Sequence, residues 1–179
     1  LVVDGDQKSK VIMTMSSSDK NFNGVTKEFE FVTVDDDKAG FVINSNSASF
    51  PENSGSSVGI SVRLLSQPTK NVTVAVTSSD SSELTIDSGS SLTFTKDNWN
   101  KDQDVTVKVA DDTIADGTQT AYAIFKASSQ DPNFNGISDT SAVYTIIDNE
   151  APSVVLGAAD PTIGLGSPSG TANVSLGVE

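Results

Sequence analysis

Apolar and polar residues alternate over most of this chain of 179 residues. Side chains that alternate in this way point to opposite faces of a β-strand, so each run predicts a strand with one buried face. A continuous apolar run, Val143–Ile147, instead predicts a central strand of a sheet. No stretch shows the 3.6-residue period of an amphipathic helix. The alternating runs are Val58–Leu64, Val72–Val76, Leu92–Phe94, Val105–Val109 and Ala121–Phe125.

Clusters of turn-forming residues separate these runs, as at Pro51–Gly55, Gln67–Thr69 and Asp87–Gly89. Gly, Pro, Asn and Asp favour the backbone conformations that tight turns require. About seven short strands spread over about 110 residues are typical of an immunoglobulin-like β-sandwich. We therefore predict an all-β fold made of immunoglobulin-like, seven-stranded β-sandwich repeats in tandem.

The prediction of tandem repeats comes from an internal match at an offset of 112 residues. Residues 4–43 align with residues 116–155 without a gap, and 15 of the 40 positions are identical. This indicates one complete copy over residues 39–150, the C-terminal part of a preceding copy over residues 1–38, and the N-terminal part of a following copy over residues 151–179. Neither end piece can bury a core alone, so we expect either a longer parent protein or a neighbouring chain that completes the ends.

The repeated turns Asn21–Gly24 and Asn133–Gly136 each contain a phenylalanine. We expect Phe22 and Phe134 to plug the end of a sandwich. The single tryptophan, Trp99, precedes a predicted strand, and we expect it to pack over the edge of the core.

Composition and charge narrow the range of functions. A net charge of −13 argues against nucleic acid as a partner, because phosphate binding depends on clusters of Lys and Arg. The chain has neither Cys nor His, which excludes disulfides, thiolate and imidazole metal sites, and Ser–His–Asp or Cys–His catalysis. No run of about 18 apolar residues exists, so we expect no membrane span.

Acidic residues gather where the predicted strands end. Strands that finish at one pole of a sandwich would bring several carboxylates together, and their repulsion is costly without a counter-charge. Oxygen donors without His or Cys favour Ca²⁺ or Mg²⁺ as that counter-charge. The other interpretation is that the acids only solubilise loops and block strand edges from pairing. The residues concerned are Glu52, Glu83, Asp111, Asp112, Asp116, Asp148, Asn149 and Glu150 in the complete copy, and Asp35, Asp36 and Asp37 at the preceding junction.

Pairs of carboxylates can also catalyse glycoside hydrolysis. Here the acids lie at the end of a repeated module, and aromatic residues, which could form a sugar platform, make up only 6% of the chain. We therefore predict that the protein is not an enzyme.

Three short motifs are the acidic junction Asp35–Phe41, the turn Glu52–Gly55 and the loop Asp111–Gly117. In their order and spacing they resemble the Calx-beta family, which is named for the regulatory domains of sodium–calcium exchangers and is widespread in large bacterial surface proteins. The stretch Leu92–Asn100 resembles the bacterial branch in particular. The resemblance covers the complete copy and both fragments.

The resemblance implies seven-stranded sandwiches that bind Ca²⁺ at one pole, near the junction with the next domain. The residues that match the family's ligand positions are the eight named above for the complete copy, and Asp35, Asp36 and Asp37 match the acidic triplet at the family's domain boundary. The chain departs from the family pattern at Gln119, where a Glu is usual, and at Asp148–Glu150, which replaces three aspartates. Fewer negative ligands imply weaker binding or fewer ions.

These features predict a secreted or cell-surface protein in which Ca²⁺ stiffens the shaft of an adhesin or filament. Its partners would be neighbouring repeats of the same chain or other copies of the protein. Two alternatives remain open. A polysaccharide-binding module would need an exposed aromatic cluster, and a Ca²⁺-sensing regulatory module would accompany a membrane transporter.

Overall fold

The computed structural model describes residues 1–151 and the backbone of residues 154–156 and 174–176. These ranges contain one short 3-10 helix, Glu52–Ser54, and no helix that is long and apolar enough to cross a membrane. The strands are β1 (Gln7–Thr14), β2 (Thr26–Thr33), β3 (Phe41–Asn44), β4 (Ala48–Pro51), β5 (Ser57–Leu64), β6 (Val72–Ser78), β7 (Leu84–Ser88), β8 (Ser91–Phe94), β9 (Gln103–Val109), β10 (Gln119–Ala121), β11 (Ala123–Ser129), β12 (Ser138–Thr140), β13 (Tyr144–Ile147), β14 (Val154–Leu156) and β15 (Val174–Leu176).

Residues 39–150 form a β-sandwich. One layer has the strand order β3-β5-β9-β7, and the facing layer has the order β12-β11-β6-β8, with β10-β13-β4 as a further three-stranded sheet. Apolar side chains from β5 and β9 pack in one core with those from β6, β8, β11 and β13. The prediction of an all-β sandwich is confirmed.

Two segments of the chain are each divided between two sheets. Residues 84–94 pair first with β9 as β7 and then with β6 as β8. The change of layer occurs at Gly89, which has a φ of 76°. A Cβ atom at Gly89 would lie 2.6 Å from the carbonyl oxygen of Asp104, so only glycine fits this corner. Residues 41–51 divide in the same way, since β3 pairs with β5 and β4 lies parallel to β13.

The predicted period of two accounts for which side chains are buried. Val72, Val74 and Val76 of β6 are at most 3% exposed, and the residues between them face away from the core. Strand β13 lies between β10 and β4, which confirms the prediction of a central strand. Trp99 packs partly buried against the core, also as predicted.

The hairpin β1–β2 lies outside the sandwich but has the same loop as β11–β12. In each loop an aspartate carboxylate, Asp19 or Asp131, accepts from the backbone N–H of the asparagine two residues later. Gly24 and Gly136 both have positive φ, 81° and 84°, and both close their loops by donating to the backbone across the turn. The matched sequences therefore have matched local structure.

The two hairpins differ in burial. Phe134 is completely buried, whereas Phe22 is 52% exposed. The expectation that both plug a sandwich is confirmed for Phe134, whereas Phe22 is not covered here, because no second layer lies over β1–β2 within the described ranges. Most of the predicted following copy, residues 151–179, falls outside the described residues, which include only the antiparallel pairing of β14 with β15.

Substituting the two equivalent phenylalanines separates loop structure from burial. We expect Phe134→Ala to lower the free energy of unfolding by about 3–5 kcal/mol, because it leaves a cavity in the core. Phe22→Ala removes an exposed ring and should change it by less than about 0.5 kcal/mol. Urea unfolding followed by tryptophan fluorescence measures both values. Equal losses would contradict the assignment of Phe134, but not Phe22, to the core.

Candidate metal centre

Glu52 is the central residue of the acidic pole. It begins the 3-10 helix between β4 and β5, and this helix ends at Gly55 in the left-handed conformation. The tight turn directs Glu52 inward, where its side chain is only 2% exposed. Its Oε1 accepts a hydrogen bond of 2.9 Å from the backbone N–H of Asp112. A charged group buried to this degree needs such partners, or a counter-ion, to offset its loss of hydration.

Two groups of carboxylates converge on Glu52. One consists of Glu52, Glu83 and Asp112, and the other of Glu52, Asp148 and Glu150. Within each group, one oxygen of every residue lies within 4.8 Å of the others. Glu83 precedes β7, Asp112 follows β9, and the other two follow β13, so the ends of three strands meet at this pole.

Burial of Glu83 makes its ionisation unfavourable. The residue is 3% exposed, and this burial raises the pKa of its carboxyl to about 7, with a further contribution from the charge of Glu52. Asp116, Asp80 and Asp112 add to the effect. None of the ion pairs found in the described ranges involves a carboxylate of this pole, so protein cations do not offset the repulsion.

Asp148 and Glu150 have contrasting environments. Asp148 accepts hydrogen bonds of 2.7 Å from the backbone N–H groups of Glu150 and Gly117, and these bonds lower its pKa. Burial raises the pKa of Glu150, and the nearby carboxylates of Asp148 and Glu52 act in the same direction. The Oε2 atom of Glu150 is buried and has no hydrogen-bond partner among the described residues. An oxygen of this kind is available to a cation.

The remaining predicted ligands divide into those near the pole and those away from it. Asn149 orders the pole, since its Oδ1 accepts from the backbone N–H of Asn53 and its amide donates to Glu150. Asp116 is exposed and contributes charge, and Asp111 is exposed and belongs to neither group.

The triplet Asp35, Asp36 and Asp37 is not part of this pole. It follows β2, and Asp35 accepts from the backbone N–H groups of Asp4 and Gly5. Nearby, the linker contacts the opposite end of the sandwich through a 2.8 Å hydrogen bond from Ser66 Oγ to the carbonyl of Lys38. The triplet therefore lies where the hairpin meets the sandwich.

Sequence reasoning missed Asp80. This residue lies in the connection between β6 and β7, and its carboxylate accepts from the backbone and the hydroxyl of Ser82. Its charge contributes to the raised pKa of Glu83. The only sequence signal was its position three residues before Glu83, and that spacing carries no specific meaning in a loop.

The acidic pole can hold a hard cation. Ca²⁺ takes six to eight oxygens in flexible geometry, and the pole supplies only oxygen donors. Bound there, an ion would neutralise carboxylates that otherwise repel one another in a partly desolvated volume.

The known proteins that resemble this chain are similar to it in fold only. No family model and no curated protein matches the chain. Among solved structures, it is similar to the periplasmic chaperone SfaE, with a TM-score of 0.44 and 10% identity over 62% of this chain and 57% of the chaperone. It is also similar to WR4, a member of the MSP family from C. elegans, with a TM-score of 0.40 and 6% identity over 60% of this chain and 96% of that one. Neither likeness carries a functional argument.

The raised pKa of Glu83 predicts how the metal-free protein depends on pH. Between about 4.5, its ordinary value, and about 7, the folded state holds a proton that the unfolded state has lost. The free energy of unfolding should therefore fall as the pH rises through this window. Burial of Glu150 acts in the same direction.

Urea unfolding in EDTA across this pH range tests the expectation. Glu83→Gln should reduce the slope, because it removes the titrating group. Asp111→Asn, which makes the same carboxyl-to-amide replacement on an exposed side chain, should leave the slope as it is. A slope of the same size in Glu83→Gln and the unmodified chain would contradict the role given to Glu83.

Proposed function

We propose that residues 39–150 are a Ca²⁺-binding structural module of a secreted or cell-surface protein, and that Ca²⁺ stiffens a shaft made of such modules in tandem. The observation that carries this proposal is the burial of Glu52 and Glu83 together at one pole, without a protein cation to balance them within the described ranges. Protonation relieves the repulsion at acidic pH, and a divalent cation would relieve it at neutral pH.

The pole is better suited to Ca²⁺ than to a transition metal. Its five carboxylates offer oxygen donors only, and the chain contains no His or Cys. Extracellular Ca²⁺ modules commonly bind with dissociation constants of about 10⁻⁴–10⁻³ M. Affinity in this range suits a module exposed to Ca²⁺ outside the cell.

The strand pairing supports an immunoglobulin-like module of seven strands. Residues 41–51 and 84–94 each count as one strand that is shared between two sheets. β10 and β11 together count as one interrupted strand, and so do β12 and β13. These two strands, the two shared segments, and β5, β6 and β9 make seven.

Contacts at the other end of the sandwich support a tandem arrangement. The backbone N–H of Gln67 donates to the carbonyl of Leu1 at 2.7 Å, and the side-chain amide of Asn133 donates to the carbonyl of Val3 at 3.0 Å. These contacts hold the acidic end of the β1–β2 hairpin against the sandwich. The acidic pole of residues 39–150 corresponds to that acidic end of the hairpin, and it lies just before residue 151 as the hairpin's acidic end lies just before residue 39. An ion at such a junction restricts the angle between consecutive modules, which a small interface alone would leave free.

Calcium titration tests the metal site. Isothermal titration calorimetry of the chain should give binding heat, and saturating Ca²⁺ should raise the melting temperature, because the ion binds the folded state. Glu52→Gln should weaken binding at least about tenfold, since Glu52 belongs to both groups of carboxylates.

Asp111→Asn is the matched control, with the same loss of charge at an exposed acid that lies outside both groups. We expect it to retain nearly the full affinity. Absence of heat and of a thermal shift at millimolar Ca²⁺ would refute the metal site. Equal losses of Ca²⁺ affinity in the two variants would show that only the overall charge of the protein matters.

A further inference from the structure

The β1–β2 hairpin has one charged face and one apolar face. On the charged face, Lys10 pairs with Glu28 at 3.0 Å and Lys8 with Glu30 at 3.4 Å. On the opposite face, Val11 and Phe29 are direct partners across the hairpin and are 48% and 43% exposed. The other large apolar side chains of this face and its loop are also exposed: Met13 58%, Met15 50%, Phe22 52%, Val25 47% and Phe31 55%. A contiguous apolar patch of this kind marks an interaction surface.

The complete sandwich contains the covered counterpart of this face. At the 112-residue offset, Val11, Met13 and Phe22 correspond to Ala123, Phe125 and Phe134, all fully buried. These residues share one core with Ile60 and Val62 of β5 and with Val105 and Val107 of β9. The layer that covers a hairpin of this sequence is thus present in the same molecule.

Two further groups of the hairpin lack partners that their counterparts have. The outer edge of β11 pairs with β6 from Ala123 to Ser129, whereas β1 pairs only with β2 in the described part of the chain. Asp131 accepts bonds of 2.8 Å from the backbone N–H and hydroxyl of Thr69, and Asp19 has no such bonds from the described residues. An unpaired strand edge beside an apolar face favours addition of a sheet.

We propose that the apolar face and outer edge of β1–β2 bind a sheet of the same kind as the one residues 39–112 form, and that together they close a second sandwich. This proposal rests on the tandem arrangement proposed above. The occupant supplies a face rich in Val and Ile, an edge strand equivalent to β6, and a donor equivalent to Thr69.

Closure changes the register of the hairpin. From Gln7↔Thr33 to Thr14↔Thr26, β1 and β2 pair without interruption. In the sandwich, Ile124↔Thr140 follows the same register, but Gln119↔Ile146 is shifted by one residue. The extra residue lies between β12 and β13. A one-residue shift exchanges the two faces of a strand.

In the sandwich, the shifted register places Tyr144 and Ile146 in the core. Their counterparts in the hairpin are Val32 and Val34, which are 52% and 70% exposed. Closure should therefore add the bulge to β2, bring both valines to the covered face and pair Gln7 with Val34. Phe31 should turn away from that face, because its counterpart Val143 is 46% exposed in the sandwich.

The test extends the whole chain by placing a second copy of residues 39–112 directly before Leu1, which continues the 112-residue period. Met13 and Met15 are the only methionines in the chain and report on coverage. In the extended chain we expect peroxide to oxidise them at least about tenfold more slowly, as measured by mass spectrometry. NMR should show Gln7 paired with Val34 in place of Thr33.

The matched control carries Val62→Asp and Val107→Asp in the added copy only, which destroys its apolar face. Methionine oxidation should then proceed at the rate of the unextended chain. Calcium binding at the pole of residues 39–150 is measured in a separate titration. If the methionines are protected from oxidation but no Ca²⁺ binds, only the metal proposal is refuted.

Three results would overturn the proposal. The first is that the methionines are oxidised equally fast in the extended and unextended chains. The second is that amide exchange shows the added residues to be unfolded. The third is that the unextended chain already protects its methionines in a concentration-dependent way and forms dimers by light scattering, which would make a second hairpin the occupant.

Discussion

The two layers of the sandwich hold each other in place because their apolar faces exclude water from a shared core. Val62 and Val107 in one layer meet Val74 and Phe125 in the other, and all four are fully buried. Segment 84–94 crosses from one layer to the other, and segment 41–51 links the first layer to the three-stranded sheet. The loops at both ends of the sandwich are positioned by this frame.

The acidic pole depends on that frame for its existence. Carboxylates that repel one another would separate in a flexible chain, but Glu52 and Glu83 are buried in turns that lead directly into strands β5 and β7 of the sandwich. Burial of the core offsets the cost of placing them together. The repulsion is present before any ion arrives, and a cation bound at the pole would relieve it.

The β1–β2 hairpin shows which features do not require the frame. Its loop has the same hydrogen bonds as the loop after β11, since Asp19, Asn21 and Gly24 make them within a few residues. The burial of the loop phenylalanine and the register of the hairpin do differ outside the sandwich frame. Phe22 is exposed, and β2 lacks the extra residue that lies between β12 and β13.

Local patterns in the sequence determined most of the secondary structure. Alternation along Val72–Val76 assigns one face of β6 to the core, and the run Val143–Ile147 predicts the central position of β13, because side-chain period and apolar content depend on neighbours in sequence. The division of residues 84–94 between two layers could not be predicted from local patterns in the sequence. It depends on the space beside Gly89, which residues of β9 define.

For the candidate site, the sequence determined that acids follow strand ends and that any metal there would be bound by oxygen. Only the tertiary structure decided which acids meet. It brought Glu52, Glu83, Asp112, Asp148 and Glu150 together, left Asp111 in solvent, and placed Asp35–Asp37 at the other end of the sandwich. The physical reason is that desolvation and charge repulsion act through space, and the distances between these carboxylates are set by how the strands pack rather than by how far apart the residues lie in the chain.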